Sequence, residues 1–449
     1  VARFWKWYEV RFFEEWYRFL NAYAKVYTEV AFQGDESLLT KATADVNDNP
    51  FVEIFKKSAY EFKSYSKEGS ALNAWANDVI FVNDVIEEAL KPVDQNKTMF
   101  QAVGANIEKR LAGLNKETQS YEFAVKKSAP LFKAYFDSFK PLSEVGLSQS
   151  AAYSMTSSYF NDSKNFEQSK ASFYLAYSNY LSFANYLNSY KKRDKTVENL
   201  LIAPFRFYVH YAVEESACVL DDKWKSTVIG GSYGVASSDM PKVLLDQQSG
   251  LVWKFINDYA APYLNKTVNG YQARLALNRS IPFNGDFLEF FNTATLSSAN
   301  YQANYTVNAK TLPVGVNNGA LSEPYGVVLE LYCKDKIQKL ENYNYQNSAT
   351  FNWDVSQCGD TVVKILFEGA TLVKNYQGTY GFAKFISDFE NGKRVFTAED
   401  FPEFTSMLEE KNIQFISVGY ILDNTDKIVR FFNAAPRKIP TEVAKCWRR

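Results

Sequence analysis

Four cysteines, one histidine and a close pair of carboxylates are the residues of this chain whose types offer chemistry. Cys358 follows Trp353 by five residues in "SATFNWDVSQCGDTVV", and Cys333 lies a short way upstream in "LELYCKDK". A cysteine in that setting offers a nucleophile, a metal ligand or one half of a disulfide. A nucleophile needs a base. His210 is the single histidine, and it sits in the apolar helical stretch "FRFYVHYAVEES", where it reads as a core residue. A Ser-His-Asp or Cys-His arrangement would have to use it, and a metal site with several histidines is excluded. Cys333 and Cys358 are also spaced far more widely than the close cysteine pairs of a zinc ribbon.

Asp286 and Glu289 in "NGDFLEFF" stand three apart, on one side of a predicted helix. A glycosidase places its carboxylates across a cleft, about 5 to 9 Å apart. A solvated helix face accounts for this pair equally well. Asp45, Asn47 and Asn49 imitate the start of a calcium loop, but Pro50 takes the glycine position and Lys56 the position of the bidentate glutamate. That stretch reads instead as the turn before a helix. Gly230 and Gly231 are followed by no Gly-Lys-Ser/Thr, so they form no phosphate loop. The residues therefore predict no catalytic group, no metal and no cofactor.

The elements that must position these residues change character along the chain. Trp5, Tyr8, Phe12, Trp16, Phe19 and Tyr23 recur at the helix period and predict a long aromatic helix, either packed on neighbours or lying next to a membrane. "LNAWANDVIFVNDVIEEAL" puts Trp75, Val79, Val82, Ile86 and Leu90 on one face. "FEQSKASFYLAYSNYLSFANYLNSYKKRD" predicts a second long helix with a basic last turn, and "LIAPFRFYVHYAVEESACVLDDKWKSTVIGG" a third that stops at its glycines. After about Tyr301 the runs become short and β-rich: "YGVVLELYC", "ATFNW", "TVVKILFEG" and "QFISVGYIL". One helix, capped by Thr397, interrupts them. The expected class is α+β: a large multi-helix region followed by a small β-sandwich-like domain with one inserted helix. The expected divisions are 1–195 and 196–300, both helical, and 301–449, β-rich.

Charge narrows the function. Lys and Arg number 50 against 51 Asp and Glu, a net of −1, so no basic excess marks a nucleic-acid binder. No run of eighteen apolar residues marks a membrane span.

The order "GLVWKF…APYL", "IPF…FLEFF", "VVLELYC…FNWDVSQCGD…VVKILFEGATLVKNYQGTYGFAKFISDFENGKRVFTAEDFP" resembles the C-terminal part of the IcmF/TssM family. The likeness is densest from Val327 to Pro402, with Trp353, Cys358, Gly359, Gly378–Phe382 and the Phe401-Pro402 step. The resemblance implies a structural subunit of the type VI secretion system. Such a protein is anchored in the inner membrane and carries a periplasmic region, helical first and β-sandwich-like at its end. It implies a membrane anchor upstream and a periplasmic location for this chain. Its partners would be a TssJ-like outer-membrane lipoprotein, bound within the C-terminal β-rich domain, a TssL-like inner-membrane subunit and further copies in a ring complex. In that compartment Cys333 and Cys358 are expected as a disulfide joining a strand end to the loop after Trp353, with reduced core cysteines as the other reading. Cys218 and Cys446 remain either as thiols or as a second pair fastening the C-terminal tail to the helical region. The alternative function is a periplasmic or extracellular glycan-binding protein, which would gather exposed aromatics into one cleft.

Overall fold

In the computed structural model, residues 2–29, 49–66, 73–92, 116–146, 148–236, 239–268, 270–434 and 438–448 are described. The helical part is organised around one helix. Among the described residues, seven long helices come first: α1 (Ala2–Glu29), α2 (Pro50–Ser66), α3 (Ala74–Ala89), α4 (Lys116–Asp137), α5 (Gln149–Asn161), α6 (Ser172–Tyr190) and α7 (Lys195–Trp224). A surface helix buries one stripe, whereas a helix buried on most of its circumference lies at the centre of a bundle. α7 is of the second kind. Leu200, Ala203, Phe207, Tyr208, Tyr211, Ala217 and Leu220 are all buried, and α1, α5 and α6 pack around it. Helices on both sides of residue 195 thus share one core.

The start of α7 is fixed twice. The Asp194 side chain accepts from the Thr196 N–H at 2.8 Å, an N-cap. Asp78 of α3, itself buried, accepts from Arg193 Nη1 and from the Asp194 N–H, each at 3.0 Å. The Arg193 guanidinium also lies 4.0 Å from the centre of the Phe81 ring. The basic run was expected as the last turn of α6, but α6 ends at Tyr190 before it, and Arg193 is instead a buried cross-link to α3. Of the calcium-like residues, Asp45 and Asn47 lie outside the described residues. Asn49 accepts from the Phe51 N–H at 2.9 Å, directly before the helix that starts at Pro50.

α7 continues through a π-turn over Lys225–Ile229 and ends with Gly230–Ser232. Then come α8 (Met240–Leu245), α9 (Leu251–Phe255), a hairpin of β1 (Leu264–Thr267) and β2 (Gly270–Ala273), and α10 (Gly285–Asn300).

The β-rich part forms two sheets. The first runs β10 (Lys393–Phe396), β11 (Ile416–Asp423), β3 (Asn304–Thr311), β7 (Ser348–Asp354), with short β4 (Gly315–Val316) also on β11. The second runs β6 (Ile337–Asn342), β5 (Gly326–Cys333), β8 (Cys358–Phe367), β9 (Ala370–Tyr376). β3 alternates strictly, burying Tyr305, Val307, Ala309 and Thr311, as a strand with one covered face must. Helix α11 (Gly381–Asp388) lies between the sheets. Its Phe382 ring sits 5.7 Å from Phe351 and 6.0 Å from Trp353 of the first sheet. Its Phe385 ring sits 5.9 Å from Tyr376 of the second sheet and 5.6 Å from Tyr420 of the first. Gly381 makes this insertion feasible, because a Cβ there would lie 2.2 Å from the Tyr376 carbonyl oxygen.

The α+β class and the helical-then-β order hold. The β-rich part carries more helix than the one expected: α11, α12 (Thr405–Glu410) and α13 (Asp426–Ala434). The segment after Thr397 is also not one helix. Pro402 lacks an N–H and disfavours a helical Phe401, which sits at φ −138°, ψ 66°. Two 3₁₀ turns result before α12 begins.

Candidate functional site

The two cysteines that opened the question are directly opposite each other. Cys333 ends β5, and Cys358 begins β8 rather than lying in a loop. The turn ends before the cysteine, because Asp354 Oδ1 accepts from the N–H groups of Ser356 at 2.8 Å and Gln357 at 3.2 Å and completes the reversal there. Cys333 and Cys358 are then register partners and share a disulfide, with Cα atoms 3.8 Å apart. Trp353 is fully buried, with Tyr305 stacked 5.4 Å away.

Cys218 of α7 and Cys446 share the second disulfide, across 228 residues of sequence. The whole closing segment lies along the end of α7. Pro440 O accepts from Trp224 Nε1 at 2.7 Å, and the Val443 N–H donates to buried Asp221 at 3.0 Å. Asn284 N–H donates to Val443 O at 2.9 Å, and Lys445 N–H to Pro282 O at 3.2 Å, which ties the segment to the start of α10. Arg448 pairs with Glu215, 2.9 Å, whose side chain is 1% exposed. The sequence offered Cys446 as the only signal for this strap. Its other contacts join residues more than 150 apart and carry no local pattern.

All four cysteines are therefore bonded and none offers a thiolate. His210 is half-buried, with Nδ1 3.8 Å from Glu214 Oε1 one turn along α7, and burial raises the Glu214 carboxyl above its ordinary range. Asp286 and Glu289 are exposed on the first turns of α10. They line a cleft of about 740 Å³ whose other wall brings Asn433, Lys438 and Glu442. Among the described residues no three His, Cys, Asp or Glu side chains gather as a metal site would require. Apart from a group on the first turns of α1 whose rings lie about 6 Å from one another, the exposed aromatics among the described residues are scattered. Phe4, Trp5, Trp7 and Tyr8 lie on α1, Tyr60 on α2, Tyr233 beyond α7, and Tyr325, Tyr343 and Tyr345 in loops of the second sheet. The converging platform of the glycan-binding reading is not what these positions form.

The strongest electrostatic feature is on the outer face of the second sheet. Glu330 of β5, 3% exposed, pairs with Lys339 of β6 at 3.0 Å and Lys364 of β8 at 2.8 Å, and accepts from the Tyr332 hydroxyl. Burial pushes the Glu330 carboxyl up, but the hydrogen bonds from Lys364, Tyr332 and Lys339 outweigh it and hold it at about 2. The three strands are pinned side by side at this point. A second network fastens α11 to the sheet edges: Asp388 accepts from Tyr376 at 2.7 Å and pairs with Arg394 at 3.1 Å, while Asp400 pairs with Lys374 at 2.8 Å. Burial first, and then the Asp388 carboxylate, raise the Tyr376 hydroxyl. These pairs tie α11 and the neighbouring strand edges together.

No helix among the described residues is long and apolar enough to cross a membrane. No family model matches the chain, and no curated protein matches it. Among solved structures, the chain is similar to one described as "Type VI secretion system membrane core complex", at 12% identity and a TM-score of 0.46, over 99% of this chain and 84% of that one. It is similar to another described as "Type VI membrane complex", at 12% identity and 0.49, over 91% and 74%. The TssM C-terminal domain from EAEC, a type VI secretion protein, aligns at 14% identity and 0.34, over 51% of this chain and 99% of that domain. The chain is thus similar, at low identity, to structures of type VI secretion membrane complexes.

Proposed function

We propose that this chain is the periplasmic region of an IcmF/TssM-like structural subunit of a type VI secretion trans-envelope complex. The observation that carries the location is the cysteine usage: all four cysteines are in disulfides, and such bonds persist in oxidising compartments such as the periplasm. The family assignment rests on the stretch from Val327 to Pro402. Its recurring residues have structural work in this fold: Trp353 and Phe382 pack on each other, Cys358 is bridged, and Gly381 sits where a side chain has no room.

In this reading the protein is a scaffold and not an enzyme. An inner-membrane anchor precedes it, and the β-rich part, from about residue 301, carries the surface for a TssJ-like outer-membrane lipoprotein. A TssL-like inner-membrane subunit and further copies of the chain complete the assembly. Loops at the ends of a rigid sandwich are where recognition residues commonly lie. Tyr325, Tyr343 and Tyr345 are exposed in such loops. The experiment is capture of the cognate lipoprotein, encoded in the same secretion locus, by the intact chain. Capture is expected, and replacement of Tyr343 and Tyr345 by Ser is expected to weaken it. No capture by the oxidised, folded chain would overturn the reading.

A further inference from the structure

One cavity of the helical part gathers cations without anions. It holds about 360 Å³ and lies where α5, α6 and α7 meet the turn that follows β2. α7 supplies Ile202, Phe205, Arg206 and Val209, whose spacing puts them on one face of the helix. Tyr159 of α5 and Tyr177 of α6 complete the helical wall. The Tyr177 and Phe205 rings lie 5.5 Å apart, and Tyr159, Phe205 and Val209 are buried, so the floor is largely apolar. The remaining wall is a two-residue turn. Ala276 and Arg279 exchange backbone hydrogen bonds at 2.9 Å in both directions, and the Tyr159 hydroxyl donates to the Ala276 carbonyl at 3.0 Å. Leu277 and Asn278 between them both hold positive φ, 44° and 64°. Glycine and asparagine take that conformation readily and leucine does not. Here it brings Leu277 into the cavity wall together with Arg279.

The charge decides what the cavity fits. Arg206 and Arg279 are half-buried. The Arg279 side chain makes no hydrogen bond or ion pair among the described residues, and Arg206 makes one long hydrogen bond, Nη1 to Asn199 Oδ1 at 3.4 Å, and no ion pair. Glu214, further along α7, feels the Arg279 charge without pairing to it. By contrast, Arg193, Arg394 and Arg448 each pair with a carboxylate, and Arg274 donates to two backbone carbonyls. We propose that this cavity binds a small organic anion of the arylcarboxylate class, with its carboxylate met by Arg206 and Arg279 and its flat apolar body against Tyr177 and Phe205. A planar guanidinium matches a carboxylate through paired N–H bonds. Aromatic walls match a flat ring. The volume lies near the lower end of the roughly 300 to 1,000 Å³ that ligand sites occupy. Such a site is independent of the secretion role proposed above, which lipoprotein capture tests by itself.

The test uses the intact, oxidised chain, with 2-naphthoate as the probe and 2-naphthalenemethanol as its neutral analogue, in isothermal titration calorimetry. Saturable one-to-one binding of naphthoate is expected, with a dissociation constant below about 1 mM for a ligand of this size. The alcohol should bind at least about tenfold more weakly, because it leaves both cations unpaired. Arg206→Gln and Arg279→Gln should each weaken naphthoate about tenfold and leave the alcohol unchanged, in variants whose thermal melts show the fold kept. Arg430→Gln removes the same charge from an exposed position on α13 and should change nothing. The comparison of the two probes on the unaltered chain needs no variant. Absence of saturable naphthoate binding would overturn the proposal. So would equal affinity for the alcohol, which would make the cavity an apolar crevice only, or naphthoate binding that both arginine variants retain in full.

Discussion

Replacing Cys218 and Cys446 together by Ala should destabilise the protein more than replacing Cys333 and Cys358 together by Ala. Both bridges restrict the unfolded chain, and the restriction grows with the logarithm of the loop closed. The loops differ widely: 228 residues for Cys218–Cys446 and 25 for Cys333–Cys358. The chain-entropy relation gives about 5.5 kcal/mol for the first and about 3.5 kcal/mol for the second, a gap of about 2 kcal/mol from length alone. Native contacts limit how far the variants diverge otherwise. The closing segment keeps its Arg448–Glu215 pair and its bond from Trp224 to Pro440 when the sulfurs are gone. The strap should therefore stay docked in the folded variant. The assay is guanidinium unfolding of the oxidised wild type and both double variants, followed by far-ultraviolet circular dichroism. Limited proteolysis of the closing segment supplies a second reading. The expected order of midpoints is wild type, then the Cys333/Cys358 variant, then the Cys218/Cys446 variant. Equal midpoints for the two variants would refute the loop-length reasoning. A closing segment cleaved at once in the Cys218/Cys446 variant would show that the noncovalent contacts do not hold it.

Glu330→Gln should cost about 2 kcal/mol near neutral pH, after allowance for the half-exposed Lys339. The Glu330 carboxyl is held at about 2 in the folded chain, below its ordinary value of 4.5, so the contribution is full above that ordinary value and fades as pH falls toward 2. Denaturant titrations of both proteins at several pH values should converge on acidification, and a gap that stays constant would count against the ion-pair cluster as its source. Gly381→Ala should lower stability by about 3 kcal/mol, since the new Cβ meets the backbone of Tyr376, Gly359 and Thr361 and none of these can swing aside. Gly359→Ala, with open space around it, is the control. Thermal melts in which the two alanine variants behave alike would contradict this account.

What was legible in the sequence was local. The strand ending at Cys333 follows from a β-rich run cut off by "KDK", and α3 follows from its apolar stripe. Cys358 was placed one element too early, because "VSQCGD" reads as a turn throughout while Asp354 completes the turn by Gln357. α11 escaped because its Phe382, Phe385 and Ile386 repeat over barely two turns, too short for a period to stand out. The strap was visible only as a leftover cysteine. Contacts such as Val443 with Asp221 join segments far apart in the chain, and neither segment carries a mark of the other. The cleft beside Asp286 and Glu289 is of the same kind, since its second wall comes from Asn433, Lys438 and Glu442.

The bonded cysteines are nested: the Cys333–Cys358 bridge lies wholly inside the loop that Cys218 and Cys446 close. A chain made from its amino end presents its thiols in order. Cys218 arrives first and its mate last, so the two thiols that appear in between are both wrong partners for it. Any bond Cys218 forms with either must be undone by attack of another thiolate before the native pairs can close. In the finished fold Cys218 lies 1% exposed on the central helix, with Cys446 bonded to it and the strap in place. Maturation of this fold is thus a matter of timing as much as of affinity: a chain halted between Cys358 and Cys446 should be found with the inner bridge already made and Cys218 still without its native mate.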